Sequence, residues 1–243
     1  MHSKTASLLG LAAVALGQGG LIIDPKNADD GVSVKSIPID ISSLFNNRGF
    51  AKYPGDANFD GVHSGYPAQY LPEANLTYAG VNFDFPQYKA AGNDNALAQG
   101  QMLSPPRDRY ISVHMLAAAD QSNIATGMVN ATYADNSTST ASVLVDPFWD
   151  WPYPYGGDII FPYYYSNKSI DYNRSMIFHV VARLDSTKDL TSLILPNVAS
   201  GSSSGPGGTA EPNRLHIFAV SMVPATGSGI SLEVEHARST QLW

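Results

Sequence analysis

The sequence predicts an all-β fold, an antiparallel β-sandwich or jelly roll. Three observations predict it. Apolar segments rich in β-branched and aromatic residues recur about ten times along the 243 residues. Several alternate with period two, as in Met176-Ile177-Phe178-His179-Val180-Val181-Ala182-Arg183-Leu184. Glycine and proline, at 21 and 16 residues, punctuate these segments, and no window carries a sustained helical stripe.

The expected strands fall in Val32–Ile41, Leu76–Phe85, Tyr110–Leu116, Gly127–Tyr133, Ala141–Val145, Asp158–Phe161, Met176–Leu184, Leu190–Leu195, Leu215–Val223 and Ile230–Val234. Asp135-Asn136-Ser137 separates two of them and has hairpin-turn chemistry. Short helices are expected at most near Leu44 and over Asn95–Gln101. Ser200 to Gly208 is a flexible loop by composition. Because Leu215–Val223 after it has the character of a core strand, the loop is placed inside one domain.

The N-terminus has the pattern of a secretory signal. Lys4 gives a short positive region, Ala6 to Leu16 an apolar run, and Ala15-Leu16-Gly17 small residues for cleavage before Gln18. That apolar run is too short to span a bilayer. The expected organisation is a signal peptide over 1–17, a polar lead-in over 18–31, one β-sandwich domain over 32–235 and a tail over 236–243. Five N-x-S/T sequons accompany the signal, at Asn75, Asn130, Asn136, Asn167 and Asn173. A secreted, extracellular glycoprotein is the expectation.

Composition narrows the function classes. Hydrophobic residues make up 44% of the chain, enough for a sizeable core. The net charge is −7 with no basic run, which argues against nucleic acid and anionic membrane surfaces as partners. With no cysteine, the chain has no disulfides, thiolate nucleophiles or cysteine-based metal sites. No H-E-x-x-H or G-x-S-x-G motif is present, and Gly201 to Gly208 lacks the lysine of a phosphate loop. The catalytic residues are therefore left unassigned. His179 and His216 sit among alternating apolar residues and are expected to be structural; His63 and His114 show no metal-ligand spacing.

The most distinctive segments are Phe45-Asn46-Asn47-Arg48-Gly49, Asp56-Ala57-Asn58-Phe59-Asp60-Gly61, Tyr66-Pro67-Ala68-Gln69-Tyr70-Leu71-Pro72, Phe83-Asp84-Phe85-Pro86 and Asp94-Asn95-Ala96-Leu97-Ala98-Gln99-Gly100-Gln101. In this order they resemble the galactose-binding-like β-sandwich modules appended to secreted glycoside hydrolases, over about Ile37 to Leu144. The resemblance implies a jelly roll and carbohydrate binding, without naming a sugar.

Read physically, these segments are turn chemistry. Asn46, Asn47 and Gly49 suit a left-handed turn, and Asp94-Asn95 a side-chain-capped turn. Asp56, Asn58 and Asp60 match the first half of a calcium loop. Pro67 at the twelfth position excludes an EF-hand, leaving a structural Ca²⁺ site or an Asx-rich turn; no other cofactor is called for.

The expected ligand platform is the aromatic run from Phe148 to Tyr165. Trp149, Asp150, Trp151, Tyr153, Tyr155 and Tyr164 are its candidate ligand-binding residues, with Asp158 and Asn167 as further hydrogen-bonding groups. The same rings equally suit a plug at one end of the sandwich. Three functions stay open. The first is a carbohydrate-binding protein of the extracellular space or cell wall. The second is a small enzyme on this scaffold, a polysaccharide lyase or hydrolase or a cyclase or isomerase, using Tyr66, His63, Arg48 and Arg109. The third is a structural surface glycoprotein.

The expected processing is directly measurable. The mature chain begins near Gln18 and loses mass on enzymatic deglycosylation. An unmodified protein that retains Met1 is the opposing result.

Overall fold

The computed structural model describes residues 34–120, 124–149, 158–198 and 214–225, with the backbone of 22–23, 201–202 and 212–213. The signal segment, Ile230–Val234 and the tail lie outside these residues. The regular secondary structure of the described chain is almost wholly strand, with two single-turn 3-10 helices.

The large sheet contains β1 (Ile22–Ile23), β2 (Ile37–Ile39), β7 (Ala96–Leu97), β9 (Tyr110–Ala119), β12 (Ile159–Phe161), β15 (Ser175–Arg183) and β19 (Leu215–Pro224). Its order is β1-β12-β15-β9-β19-β2, with β7 also on β19, and every pairing is antiparallel. A second antiparallel sheet has the order β11-β10-β16-β8, from β8 (Met102–Leu103), β10 (Ala125–Tyr133), β11 (Thr138–Val145) and β16 (Leu190–Ile194). Short pairs complete the set: β3 (Phe50–Ala51) with β4 (Tyr66–Pro67), β5 (Asn75–Tyr78) with β6 (Val81–Asp84), β13 (Tyr164–Tyr165) with β14 (Ile170–Asp171), and β17 (Gly201–Ser202) with β18 (Pro212–Asn213).

All ten residues of β19 are buried, so this strand is covered on both faces. Register identifies the two faces. Ser221 pairs with His114, and His114 with Val181, so Ser112, His114, His179 and Ser221 share one side. The β5–β6 hairpin lies there, with β6 against β19 and β2. The other side, with Val113, Met115, Ala117, Phe178 and Val220, faces the second sheet, whose β11 packs on β15 and β9. That second sheet alternates in the period-two manner of a half-exposed sheet. Ala125, Gly127, Val129, Ala131 and Tyr133 are buried, and the residues between them turn outward.

Several strand expectations hold with small boundary shifts. The β10–β11 turn falls at Asp135-Asn136-Ser137, with Asn136 left-handed at φ 63°. Others are corrected. Leu76–Phe85 is a hairpin rather than one strand, because Ala79 and Gly80 both take positive φ, 48° and 72°. Asn95–Gln101 forms no helix. Leu97 N donates to Asn46 Oδ1 and Ala98 N to Leu215 O, which draws the segment into the sheet, and Gly100 at φ 74° turns it. Ser42–Leu44 is a single 3-10 turn, opened by Ser42 N donating to Asp40 Oδ1.

A polar relay lies between the large sheet and the hairpin. Ser112 Oγ meets His114 Nε2 at 2.8 Å, and His114 Nδ1 meets His179 Nε2 at 2.9 Å. The backbone N of His179 donates to Asp158 Oδ2, and Tyr78 OH donates to Asp158 Oδ1 at 2.5 Å. Tyr78 and Phe83 set their rings edge-on to His179. Burial, with the neighbouring His179, drives His114 down to about 3. Burial also lowers His179, against the opposite pull of Asp158.

Both imidazoles have folded values below the unfolded value of about 6.5, so the unfolded chain binds their protons first. Their contribution is fully present above about pH 6.5 and is lost as pH falls from there towards 3. A melting-temperature series over pH, run beside His114→Gln, cancels other titrating groups. The parent should lose several degrees more than the variant on acidification, whereas parallel curves would remove the His pair from the acid response.

Candidate functional site

Every distinctive sequence segment meets in or beside one buried polar knot at the end of the large sheet. Asp94 is its anchor. Its two oxygens accept from Gly49 N at 2.7 Å and Phe50 N at 3.0 Å, and Asn95 Nδ2 donates to Oδ1 at 2.9 Å. Burial pushes Asp94 up to about 6, and these three donors hold it from rising further. Asn47 O accepts from both Asp94 N and Asn95 N, and Asn95 O accepts from Asn46 N and Asn47 N.

On the other side of Asn95 stands His216, fully buried on β19. Its Nδ1 donates to Asn95 Oδ1 at 2.8 Å, and its Nε2 lies 3.3 Å from Asp120 Oδ2. Asn95 Nδ2 is already committed as a donor, so its oxygen faces His216 and fixes the proton on Nδ1. Burial lowers the His216 pKa against the pull of Asp120, and the Arg214 guanidinium on that carboxylate adds a smaller push the same way. Arg214 donates to Asp120 through both Nε and its backbone N. Phe59 covers the His216 ring, with centroids 3.9 Å apart.

This geometry corrects two expectations. Gly49 and the two asparagines before it are not left-handed. Glycine is needed at 49 for space, since a Cβ would lie 2.9 Å from Asn95 Nδ2. Asp94 does not cap its own turn either; it reaches 44 and 45 residues back to Phe50 and Gly49.

The Asp56 to Asp60 loop carries separate tasks. Asp56 pairs with Arg48 and accepts from Lys52 N at 2.9 Å and Tyr88 OH at 3.0 Å. Asn58 Oδ1 accepts from His63 N, and Asp60 Oδ1 from Val62 N and Ser64 N. Among the described residues, no group of three or more His, Asp or Glu is arranged to hold a metal ion.

Above the knot the chain opens into a groove of about 530 Å³ lined by Lys52, Ala68, Gln69, Leu71, Gln87 and Tyr88. Lys52 Nζ stands 4.6 Å over the Tyr88 ring, and both residues are tied to Asp56. Gln69 follows β4 on a 3-10 turn, and its amide donates to Tyr163 OH and, at 3.2 Å, to Tyr165 OH. Tyr163 is the hub of a ring cluster, 5.7 Å from Tyr70, 5.4 Å from Tyr165 and 6.4 Å from Tyr172. Tyr172 is 80% exposed and Tyr53 is 61% exposed. Desolvation and the Tyr165 hydroxyl raise the Tyr163 pKa, so its OH stays protonated and can both donate and accept.

The described residues expected from the aromatic run, Trp149 and Tyr164, do not line this groove. Trp149 is half-buried, pairs with Ser175 across an isolated bridge and packs beside Phe148. Tyr164 is buried against Phe148, with its OH on Asp171 at 2.8 Å. Asp158 belongs to the relay under the hairpin, and Asn167 is exposed beside Gly55. Asp150, Trp151, Tyr153 and Tyr155 lie outside the described residues.

Of the acid–base candidates, Tyr66 is in the core with its OH on Met176 O, and its pKa is raised by burial. Arg48 and Arg109 are held by Asp56 and Asp189, and His63 is exposed in a left-handed turn. Tyr172, Tyr88 and Lys52 carry no motif that marks them as site residues, whereas Gln69 and Tyr70 lie in the Tyr66–Pro72 segment and Tyr163 in the aromatic run. One signal was available: period-two alternation separates Tyr163 and Tyr165 from Tyr164.

No helix among the described residues is long and apolar enough to cross a membrane. A search of curated proteins finds no match. The model of the AziU2-like beta-sandwich domain matches residues 35–198, the span holding the groove and most of the knot, and the chain belongs to that family.

Proposed function

We propose that the chain is a secreted carbohydrate-binding β-sandwich module of galactose-binding-like type, and that its ligand spans the Gln69 groove and the tyrosine cluster beside it. The observation that carries this reading is a groove edged by two amides, one ammonium and the Tyr88 ring, which Gln69 joins to the Tyr163 ring cluster beside it. Tyrosine faces suit the C–H surface of a pyranose, and Gln69, Gln87 and neutral tyrosine hydroxyls suit its OH groups. The platform is braced before ligand arrives. Asp56 fixes Lys52 and Tyr88, and Gln69 fixes Tyr163 and Tyr165. Bracing of this kind limits the ordering cost of binding a flexible saccharide.

The enzymatic alternative has less in its favour. Tyr66 would have to leave the core, and Arg48 and Arg109 would have to leave their carboxylates, to reach a common reacting bond.

A glycan array with and without chelator, followed by calorimetry on the best binder, tests the proposal. Tyr172→Ala should keep the parent melting temperature, since the ring is largely in solvent, and should weaken binding roughly fivefold, the equivalent of about 1 kcal/mol of ring contact. Tyr163→Ala should weaken it further. Binding lost in chelator would draw Asp56, Asn58 and Asp60 into the site. If no glycan is retained, or if Tyr172→Ala binds like the parent, the groove is not a sugar site.

A further inference from the structure

The outer face of the β11-β10-β16-β8 sheet is unusual for a solvent-facing surface. Its register brings Met102 beside Ile194, Ile194 beside Asn130, Met128 beside Ser142, and Leu144 beside Thr126. Met102 is 65% exposed, Leu144 61% and Met128 46%. The remaining outward positions are serine or threonine apart from Asn130, and none is charged. An uncharged sheet face with exposed apolar side chains is a self-association hazard unless something covers it.

Asn130 is set at the middle of that face, on the central strand β10, between Thr140 and Ile194. Asn75, Asn136, Asn167 and Asn173 are all exposed, whereas Asn130 is half-buried in the sheet surface. Its Oδ1 accepts from Thr140 Oγ1 at 2.8 Å, which turns its amide nitrogen away from Thr140. That nitrogen is the atom a glycan would occupy, and it donates to no described group.

We infer that an N-linked glycan on Asn130 covers this sheet face and keeps the protein monomeric. The inference rests on the secretory part of the proposed function, and is independent of the groove. The linkage forms while the chain is still unfolded, so half-burial in the finished strand does not block it. The Asn130 amide nitrogen attacks C1 of a lipid-pyrophosphate-linked oligosaccharide. The N–C1 bond forms, the C1–O bond to phosphate breaks, the lipid pyrophosphate leaves and the amide gives up one proton. The first N-acetylglucosamine then presents its acetamido methyl and C–H face to Met128 and Ile194, with its hydroxyls in water. Thr140 keeps its bond to Oδ1.

The test uses full-length protein from a glycosylating host, with glycopeptide mass spectrometry and light scattering. Two variants remove the sequon by different routes, Asn130→Gln and Thr132→Val, and circular dichroism confirms that both fold. Asn130 should be occupied in most molecules. Both variants should bind an apolar dye and show the mass of a dimer or larger, and adding Leu144→Lys to either should restore the monomer. An unoccupied Asn130 on chains glycosylated at Asn136 overturns the inference and leaves secretion standing. Occupancy at none of the five sequons overturns both. Variants that stay monomeric and dye-free show that the glycan does not cover the face.

Discussion

The arrangement of the loop layer depends on one buried polar knot, centred on the bond between Asn95 and His216. Asn95 sits at the junction of the loop layer and the large sheet, and His216 is built into β19, the strand buried along its whole length. The loops at this end are tied to the sheet through the pair. Asp94 grips Gly49 and Phe50, Asn47 is bonded to Asn95 in both directions, and Asp120 with Arg214 closes the far side of the imidazole. Buried polar groups are costly when left alone, so a network with its partners present selects one arrangement of the loops over its rivals. Phe59, Phe50 and Phe218 seal it from water by stacking around the knot.

From that anchor the groove follows by short steps. The segment that starts at Gly49 runs into β3, pairs in parallel with β4, and delivers Lys52 and Gln69 on either side. Gly65 N donates to Tyr165 O and Tyr165 N to Gly65 O, which brings the tyrosine-rich segment alongside. A Cβ on Gly65 would come 2.6 Å from Ala57 Cβ, so the approach of these backbones admits only glycine. The groove is thus a consequence of the knot rather than a separate feature. Its walls are loops, as binding surfaces on rigid sandwiches usually are.

How much of this was legible in the sequence differs by scale. β15 was legible, because its run alternates and no turn former interrupts it. The β5–β6 hairpin was not, because its turn is Ala79-Gly80, which lacks the usual Asn-Gly or Asp-Gly signal. The asparagine-rich segments were recognisable as special, and their local chemistry suggested turns. The partners that make the knot, Gly49 and Phe50 for Asp94 and His216 for Asn95, lie 44 to 121 residues away, and no local rule reaches that far. The groove was least legible of all. Its residues come from separate segments, and only the Tyr66–Pro72 segment and the alternation around Tyr164 offered a hint. Aromatic density marked the right neighbourhood, while burial decided which rings face solvent.

The role of the knot is open to one direct measurement. Asp94→Asn keeps the size of the side chain but replaces one of the two carboxylate oxygens with a donor that cannot accept from Gly49 or Phe50. Hydrogen–deuterium exchange compared between parent and variant locates the damage by segment. If the knot anchors the loop layer, exchange accelerates across residues 46–66 while the paired amides of β9, β15 and β19 stay as protected as in the parent. Unchanged protection over 46–66 would contradict that role and leave the loops held by apolar packing alone.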